Sequence, residues 1–397
     1  MRFRAAGIIA GVTVLFATGP ASAAGTVSAA SARALDYMRE LNVITFGNVT
    51  SSSDIEGKAF IGGDLSGGTI GMGCQAENGR SCSSKDGFKA NTRATITVVG
   101  NDSGNTHLET GTNPRTGQPV SAGAAYQAKI GGNLSGFVDN VQPSVIAVGG
   151  NFDNNGFNPS SNKKVEYGGS ASGLQTQDAP FVTNNNALDT LQSELIITRN
   201  DMKSDLLALS GALANHVNTA SLSLSDRNNI QFTNFTPNSN FVYVTVAASA
   251  LFGGNGTLKL DLPTLTGGAF KTTVITVTGS GDFTYNINNN DIQNSNDSNL
   301  IWNFTGNVNL DMTTAWHGSI LAPTSTFKTS TIIEGSVVAQ SLTLNGEVHL
   351  GTFDGDTNIA AVPEATTWMM LILGFGGVGA TLRRRPRMAR AAAALAA

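Results

Sequence analysis

A glycine–asparagine punctuation recurs along this chain and restricts what it can fold into. Gly62-Gly63-Asp64-Leu65-Ser66-Gly67 returns as Gly131-Gly132-Asn133-Leu134-Ser135-Gly136, and Val148-Gly149-Gly150-Asn151-Phe152 is a looser copy 18 residues after the second. Far along the chain, Gly318-Ser319-Ile320-Leu321-Ala322 and Gly335-Ser336-Val337-Val338-Ala339 repeat one pattern 17 residues apart. Ile333-Glu334-Gly335-Ser336-Val337 also echoes Ile55-Glu56-Gly57-Lys58-Ala59. One coil of a parallel β-helix takes about 17–25 residues, and adjacent coils stack about 4.8 Å apart. Glycine and asparagine suit its corners because they tolerate positive φ. Alternating residues such as Val337 and Ala339 then point one way and their neighbours the other. The spacing predicts a mainly β chain, a right-handed parallel β-helix-like solenoid. The alternative is an antiparallel β-sandwich, in which the same residues are hairpin signals.

Composition narrows the choice further. Charged residues make up 13% and hydrophobic residues 40%, so a core is available and the low charge does not signal disorder. Forty-six glycines against 11 prolines, with no Gly-X-Y period, exclude collagen. Two stretches carry a helical period instead. Ser31 to Leu41 places Ala34, Leu35, Met38 and Leu41 on one face. Asn186 to Val217 places Leu188, Leu191, Leu195, Met202, Leu206, Leu209 and Leu213 in one stripe, which predicts one long helix laid along the sheet stack. Longer strands, Phe241 to Val246 and Thr273 to Thr278, depart from the short repeat.

The two ends read as addresses. Residues 1–23 form a secretory leader: Arg2 and Arg4, a short apolar core, then a small-residue cleavage site with Ala21 and Ala23. Ala365 to Leu382 is an uncharged run of 18 residues, about 27 Å as a helix and enough to span a bilayer. Arg383, Arg384 and Arg385 follow at once and mark the cytoplasmic end. The net charge is −4; without the arginines of both ends and Glu364, residues 24–361 carry −10. So acidic a middle is a poor match for nucleic acid, whose binders need a basic surface.

Pro363, Glu364 and Trp368, the apolar helix and the three arginines resemble a PEP-CTERM sorting signal over 362–387, with Ala365 where the second proline is expected and an Ala-rich tail at 388–397. That resemblance implies processing by an exosortase. A second resemblance covers about residues 30 to 355. Leu41 to Val49, then Asp54 to Leu65, are similar to the start of the choice-of-anchor A domain. Trp316-His317-Gly318-Ser319-Ile320-Leu321-Ala322-Pro323 and Gly346-Glu347-Val348-His349-Leu350 are similar to its end. It implies an extracellular domain of 24–361 with adhesin-like relatives, some described as collagen-binding. Cys74 and Cys82 lie close together in a Gly/Ser-rich loop and are expected to form a local disulfide.

Catalytic signals are sparse. His107, His216, His317 and His349 are scattered, outside any zinc-protease spacing, and no nucleophile elbow, Walker loop or dinucleotide fingerprint occurs. Ser161-Asn162-Lys163-Lys164 is an isolated Ser-x-x-Lys match. Asp54 with Glu56, and Asp354 with Asp356, have the spacing of paired carboxylates that serve as acid and base or hold Ca²⁺, and of ordinary solvated acids at strand edges. Asn288 to Asp291 with Asp297 is an Asn-rich loop better suited to turns than to calcium. Trp302 and Trp316 are flanked by apolar strand residues and are expected in the core rather than stacked on sugars.

The expectation is therefore a non-enzymatic surface protein with no catalytic residues, cofactor or metal, associated with the membrane and with an extracellular polysaccharide or matrix protein. A polysaccharide-active β-helix enzyme is the first alternative. A ligand- or ice-binding solenoid, hinted at by Thr324, Thr326, Thr329 and Thr331, is the second. Deleting residues 362–385 from a tagged fusion is expected to move the protein from the membrane and envelope fractions into the medium; an unchanged distribution would remove the sorting-signal reading.

Overall fold

A computed structural model describes residues 27–71, 93–108, 124–136, 138–140, 144–154, 156, 159–236, 240–257, 271–288 and 297–361. The leader with Ala21 and Ala23, the Cys74–Cys82 pairing and the sorting segment with Pro363, Glu364, Trp368, Arg383, Arg384 and Arg385 lie outside these residues, as does most of the Asn-rich loop.

The described chain is a parallel β-solenoid with three walls. Leu41–Thr45, Val49–Ser51 and Asp54–Ile55 form the first coil, one strand on each wall. One wall holds twelve strands: β1 (Leu41–Thr45), β2 (Lys58–Ile61), β3 (Ile96–Val98), β4 (Ala128–Ile130), β5 (Ser144–Val148), β6 (Lys163–Tyr167), β7 (Val182–Asn184), β8 (Phe241–Ala247), β9 (Thr272–Thr278), β10 (Leu300–Phe304), β11 (Ser319–Thr329) and β12 (Val337–Leu344). Their spatial order is β7-β6-β5-β4-β3-β2-β1-β12-β11-β10-β9-β8, and every neighbouring pair is parallel. Among the described strands only Ser221–Ser223 with Gln231–Thr233 pair antiparallel, which excludes the sandwich.

The order is not sequential, a feature the repeats did not announce. The chain starts in the middle, coils outward to β7, crosses to the far end and coils back until β12 docks against β1. Phe241–Ala247 and Thr272–Thr278, expected to break the pattern, are in-register wall strands of this second arm.

The crossing element is a helix. α1 (Ala29–Glu40) and α2 (Leu191–Ala214) both pack on the twelve-stranded wall, so the expected single packed helix has a companion. The wall strands are apolar on both sides for this reason. Val43, Ile61, Ile146, Val244, Ile275, Trp302, Ile320 and Val337 fill the solenoid. Their alternates Ile44, Phe60, Ala147, Tyr243, Val274, Ile301, Leu321 and Val338 meet Leu35, Met38, Leu191, Leu195, Met202, Leu206, Leu209 and Leu213 of the helices. At about 1.5 Å per residue α2 reaches about 36 Å and crosses both arms. Gln192 Nε2 donates to Val99 O (3.3 Å), Arg199 Nη1 to Gly62 O (3.2 Å), Lys203 Nζ to Gln340 Oε1 (2.8 Å) and Ser210 Oγ to Asn303 Oδ1 (2.6 Å).

Polar ties fix α1. The Ser28 hydroxyl caps it by accepting from Ser31 N (3.0 Å). Arg33 donates twice to Asp205 of α2, at 2.8 and 2.6 Å. Glu40, nearly buried, takes Lys58 Nζ at 3.0 Å and also Arg93. Burial pushes the Lys58 ammonium below its ordinary range, opposed by the Glu40 charge.

The first glycine of the doublets at 62, 131 and 149 makes room for α2, and Gly168 makes room for Asp189 just before it. A Cβ at Gly131 would sit 2.5 Å from Val99 O and 3.0 Å from Gln192 Cα; at Gly149 it would meet Leu188 O and Leu191 Cβ at 3.2 Å. Gly211, inside α2, has nothing within 4 Å of such a Cβ. Gly131→Ala is therefore expected to cost about 1–3 kcal/mol by overpacking. Gly211→Ala is expected to stabilise by up to about 1 kcal/mol by helix propensity. Urea unfolding of the two variants, which should shift in opposite directions, checks both.

Candidate functional site

With helices on one wall, the broad exposed surface is the next wall round each coil. Its inward column is Phe283, Leu310, Phe327, Leu342, Val49, Leu65, Asp102, Leu134, Phe152 and Ala171, paired coil to coil. At about 4.8 Å per coil, these ten coils extend the wall over about 43 Å. The residues before and after each inward residue face out, and all but Lys328 are short and polar. One outward row runs Asp282, Asn309, Thr326, Ser341, Asn48, Asp64, Asn101, Asn133, Asn151, Ser170. The other runs Thr284, Asp311, Lys328, Thr343, Thr50, Ser66, Ser103, Ser135, Asp153, Ser172.

The first row is a side-chain ladder. Asn48 Oδ1 accepts from Asp64 N (2.9 Å), Asp64 Oδ1 from Asn101 N (2.7 Å), Asn101 Oδ1 from Asn133 N (2.8 Å), Asn133 Oδ1 from Asn151 N (2.8 Å) and Asn151 Oδ1 from Ser170 N (2.9 Å). In the second arm Asn309 Oδ1 accepts from Thr326 N (2.9 Å) and its amide donates to Asp282 (2.8 Å). Each rung satisfies a corner N–H that the strand ladder leaves over. It also explains the second glycine of the doublet. A Cβ at Gly63, Gly100, Gly132, Gly150 or Gly169 would stand 2.2, 2.2, 2.6, 2.4 or 2.5 Å from the Asx Oδ1 of the coil beside it. The motif is thus half helix clearance and half ladder clearance. Asn48 and Asn101 follow single glycines and Ser170 replaces the amide, so these rungs escape a search for Gly-Gly-Asx.

Residues 34–350 match the family described as "Putative Ice-binding-like adhesive domain". The chain belongs to this family. Similar solved structures are an ice-binding protein from the Antarctic ascomycete Antarctomyces psychrotrophicus (12% identity, 80% of this chain and 97% of that one, TM-score 0.26), an ice-binding protein from an Antarctic biological consortium (13%, 79% and 88%, 0.27) and the ice-binding protein 1 DUF3494 domain of Shewanella frigidimarina (13%, 79% and 95%, 0.27). At these identities and TM-scores the likeness carries nothing about ligand or activity. No curated protein matches the chain.

The adhesive domain gathers few of the residues singled out by spacing. Glu56 is buried and accepts from Leu350 N (2.5 Å), whereas Asp54 lies on a partly exposed edge, so the pair is divided between structure and surface. Asp356 Oδ1 accepts from Asn358 N (2.9 Å) in an Asx turn, and Asp354 is exposed beside it. Trp302 and Trp316 are in the core, ring centroids 4.9 Å apart, and Trp302 Nε1 donates to His317 O (2.8 Å). His216 stacks on Tyr243 at 4.2 Å, and burial holds its pKa below the ordinary imidazole value. His349 lies between Glu334 (2.6 Å) and Glu347 (3.0 Å). Of the four threonines, Thr324 and Thr326 are exposed, while the buried Thr329 hydroxyl donates to Thr331 O (2.7 Å). Among the described residues no group of three His, Cys, Asp or Glu is placed to hold a metal.

On the polar wall Asp64 and Asp153 are the charges of the first arm, and the second arm carries Asp282, Asp311 and Lys328. Lys328 Nζ lies 3.2 Å from Asp311 Oδ2, and with Asp282, Thr284, Asn309 and Thr326 it lines a shallow trough of about 350 Å³. One inward residue is out of place. Asp102 is 1% exposed in a column otherwise apolar, held by Thr106 Oγ1, which donates to it at 2.9 Å, and by the Gly104 backbone. Desolvation pushes its carboxyl up from 3.8 to about 7, against the lowering effect of both hydrogen bonds. A carboxyl raised in the fold is most stabilising below its unfolded value, and that stability is lost as pH climbs through the folded value. The domain is expected to lose stability between about pH 4 and pH 7, by up to about 4 kcal/mol at 1.36 kcal/mol per pH unit. Asp102→Asn should remove most of this slope and raise the melting temperature at pH 8 but not at pH 4, as thermal unfolding across pH will show.

Proposed function

We propose that this chain is a non-enzymatic extracellular adhesive protein that presents its polar wall to a hydroxyl-rich polymer such as a matrix polysaccharide. The observation that carries the reading is the wall itself: exposed hydroxyl, amide and carboxyl groups in register over ten coils, on the side away from the helices. An in-register array offers many weak, repeated hydrogen bonds to a repeating partner, and their sum gives adhesion through multivalency rather than one tight site. Membership of an adhesive-domain family supports it. The resemblance to choice-of-anchor A domains supports a surface location. The leader, the apolar run at 365–382 and the PEP-CTERM-like signal support export, membrane association and exosortase processing. Among the described residues no helix is long and apolar enough to cross a membrane; the proposed anchor lies beyond them.

Ice is the second reading. Thr343 and Thr50 pair across the seam of the wall and Thr326 lies one coil away, and the description of the matching family as ice-binding-like supports the reading. Asp282 and Asp64 in one outward row and Asp311, Lys328 and Asp153 in the other interrupt the array with charge, which favours a polymer over an ice lattice. Co-sedimentation with insoluble polysaccharides, run beside thermal hysteresis and reducing-end release, separates the readings. Adhesion is expected, with no hysteresis and no cleavage. Ser135→Tyr, projecting from the wall, should weaken adhesion about tenfold without lowering the melting temperature; adhesion that ignores the substitution would overturn the assignment of the wall.

A further inference from the structure

At one edge the polar wall turns into the third wall, and there three adjacent coils differ in corner length. Thr50 pairs with Ser66, and Asp54 with Thr69, so four steps separate the paired positions in the first coil and three in the second. Ser103, next after the Asp102 that bridges Leu65, stands four steps before His107, the partner of Thr69. The middle coil is one residue short. It turns on Gly67 and Gly68, at φ of 78° and 100°, and recedes between its longer neighbours. A Cβ at Gly67 would lie 2.6 Å from Ser51 O, and one at Gly104 only 2.1 Å from Gly67 N, so the floor of the recess is closely stacked backbone.

The recess is a groove of about 460 Å³, within the range of small-molecule sites. Thr50 and Ser66 border it on one side, Asp54, Thr69 and His107 on the other. The last three are in register, about 4.8 Å from one to the next. Among the described residues no hydrogen bond or ion pair engages the Asp54 carboxylate or the hydroxyls of Thr50, Thr69 and Ser66. No lysine, arginine, tyrosine or tryptophan is among the lining residues.

We propose that this groove binds a neutral sugar residue, a terminal or branch unit rather than a stretch of polymer backbone. A carboxylate accepts from two neighbouring hydroxyls at once, and flanking Ser and Thr hydroxyls both donate and accept, which matches a ring that presents adjacent hydroxyls. A carboxylate with no lysine or arginine in the lining disfavours uronic acids. The lack of an aromatic platform keeps affinity near about 1 mM. The site is independent of the polymer adhesion assigned to the broad wall.

Saturation-transfer NMR on the purified protein with methyl glucoside, galactoside, mannoside and glucuronide is the test. At least one neutral glycoside is expected to bind, with the glucuronide about tenfold weaker or more. Asp54→Asn and Thr69→Val should each lower the affinity about tenfold. Asp201→Asn, exposed on α2, should leave it unchanged. The variants should keep the wild-type melting temperature and still sediment with polysaccharide, which separates loss of the groove from loss of the wall. Absence of transfer from all three neutral glycosides, or binding indifferent to both groove variants, would overturn the proposal.

Discussion

The structure depends on one parallel strand pair. Val43, Ile44 and Thr45 of β1 lie against Val337, Val338 and Ala339 of β12, almost three hundred residues away in sequence. Remove that seam and the solenoid becomes two half-stacks, each with an unpaired edge. It is reinforced from within. Asn42, fully buried, donates its amide to Gly335 O and His349 O at 3.0 Å and accepts from Gly57 N, so one side chain bridges the coils on both sides of β1. Ser336 Oγ donates to Met38 O (2.6 Å) and ties the seam to α1. Loop entropy grows only logarithmically with chain length, so a closure this distant is thermodynamically tolerable, although such a high contact order implies slow folding.

Closure also determines what the protein can present to its surroundings. The polar wall is continuous from Asp282 to Ser172 only because Val49–Ser51 of the first coil slots between Val337–Leu344 and Leu65–Ser66. α2 braces the same joint from the adjacent wall, touching Gly62 in one arm and Asn303 in the other. Rigid backing matters for an array of weak contacts, because the groups are held in register before the partner arrives and little entropy is lost on binding.

Much of this was legible from residue pattern, and the gaps have physical causes. The Gly-Gly-Asx copies marked the corners where a helix approaches on one side and an amide ladder runs on the other. Asn48 and Asn101 joined that ladder unseen, since only one glycine precedes each, and the ladder needs clearance at only one position. The long runs Phe241–Ala247 and Thr272–Thr278 looked foreign because they are longer than the repeated segments. Helix packing outside and core packing inside bury both faces over Val242 to Val244 and over most of Thr272–Thr278, which lengthens the apolar run. Asp54 and Glu56 had the right separation to act together. Pairing of the last coil with the first placed Leu350 N over Glu56 and left Asp54 at the edge of a groove. Asp102 gave no signal at all, since nothing local distinguishes an inward aspartate from an outward one.

By itself the sequence determined a strand repeat of 17–18 residues, its corner residues and the two amphipathic stripes, because these follow from periodicity and from the steric freedom of glycine; that the repeated strands pair in parallel was settled by the pairing itself. Only the tertiary structure decided the order of the coils, the meeting of the chain's two arms at β1 and β12, and the groups that share the exposed wall. Those depend on which strand edges remain unpaired once every local coil has formed. That is a property of the whole stack, and no single repeat encodes it.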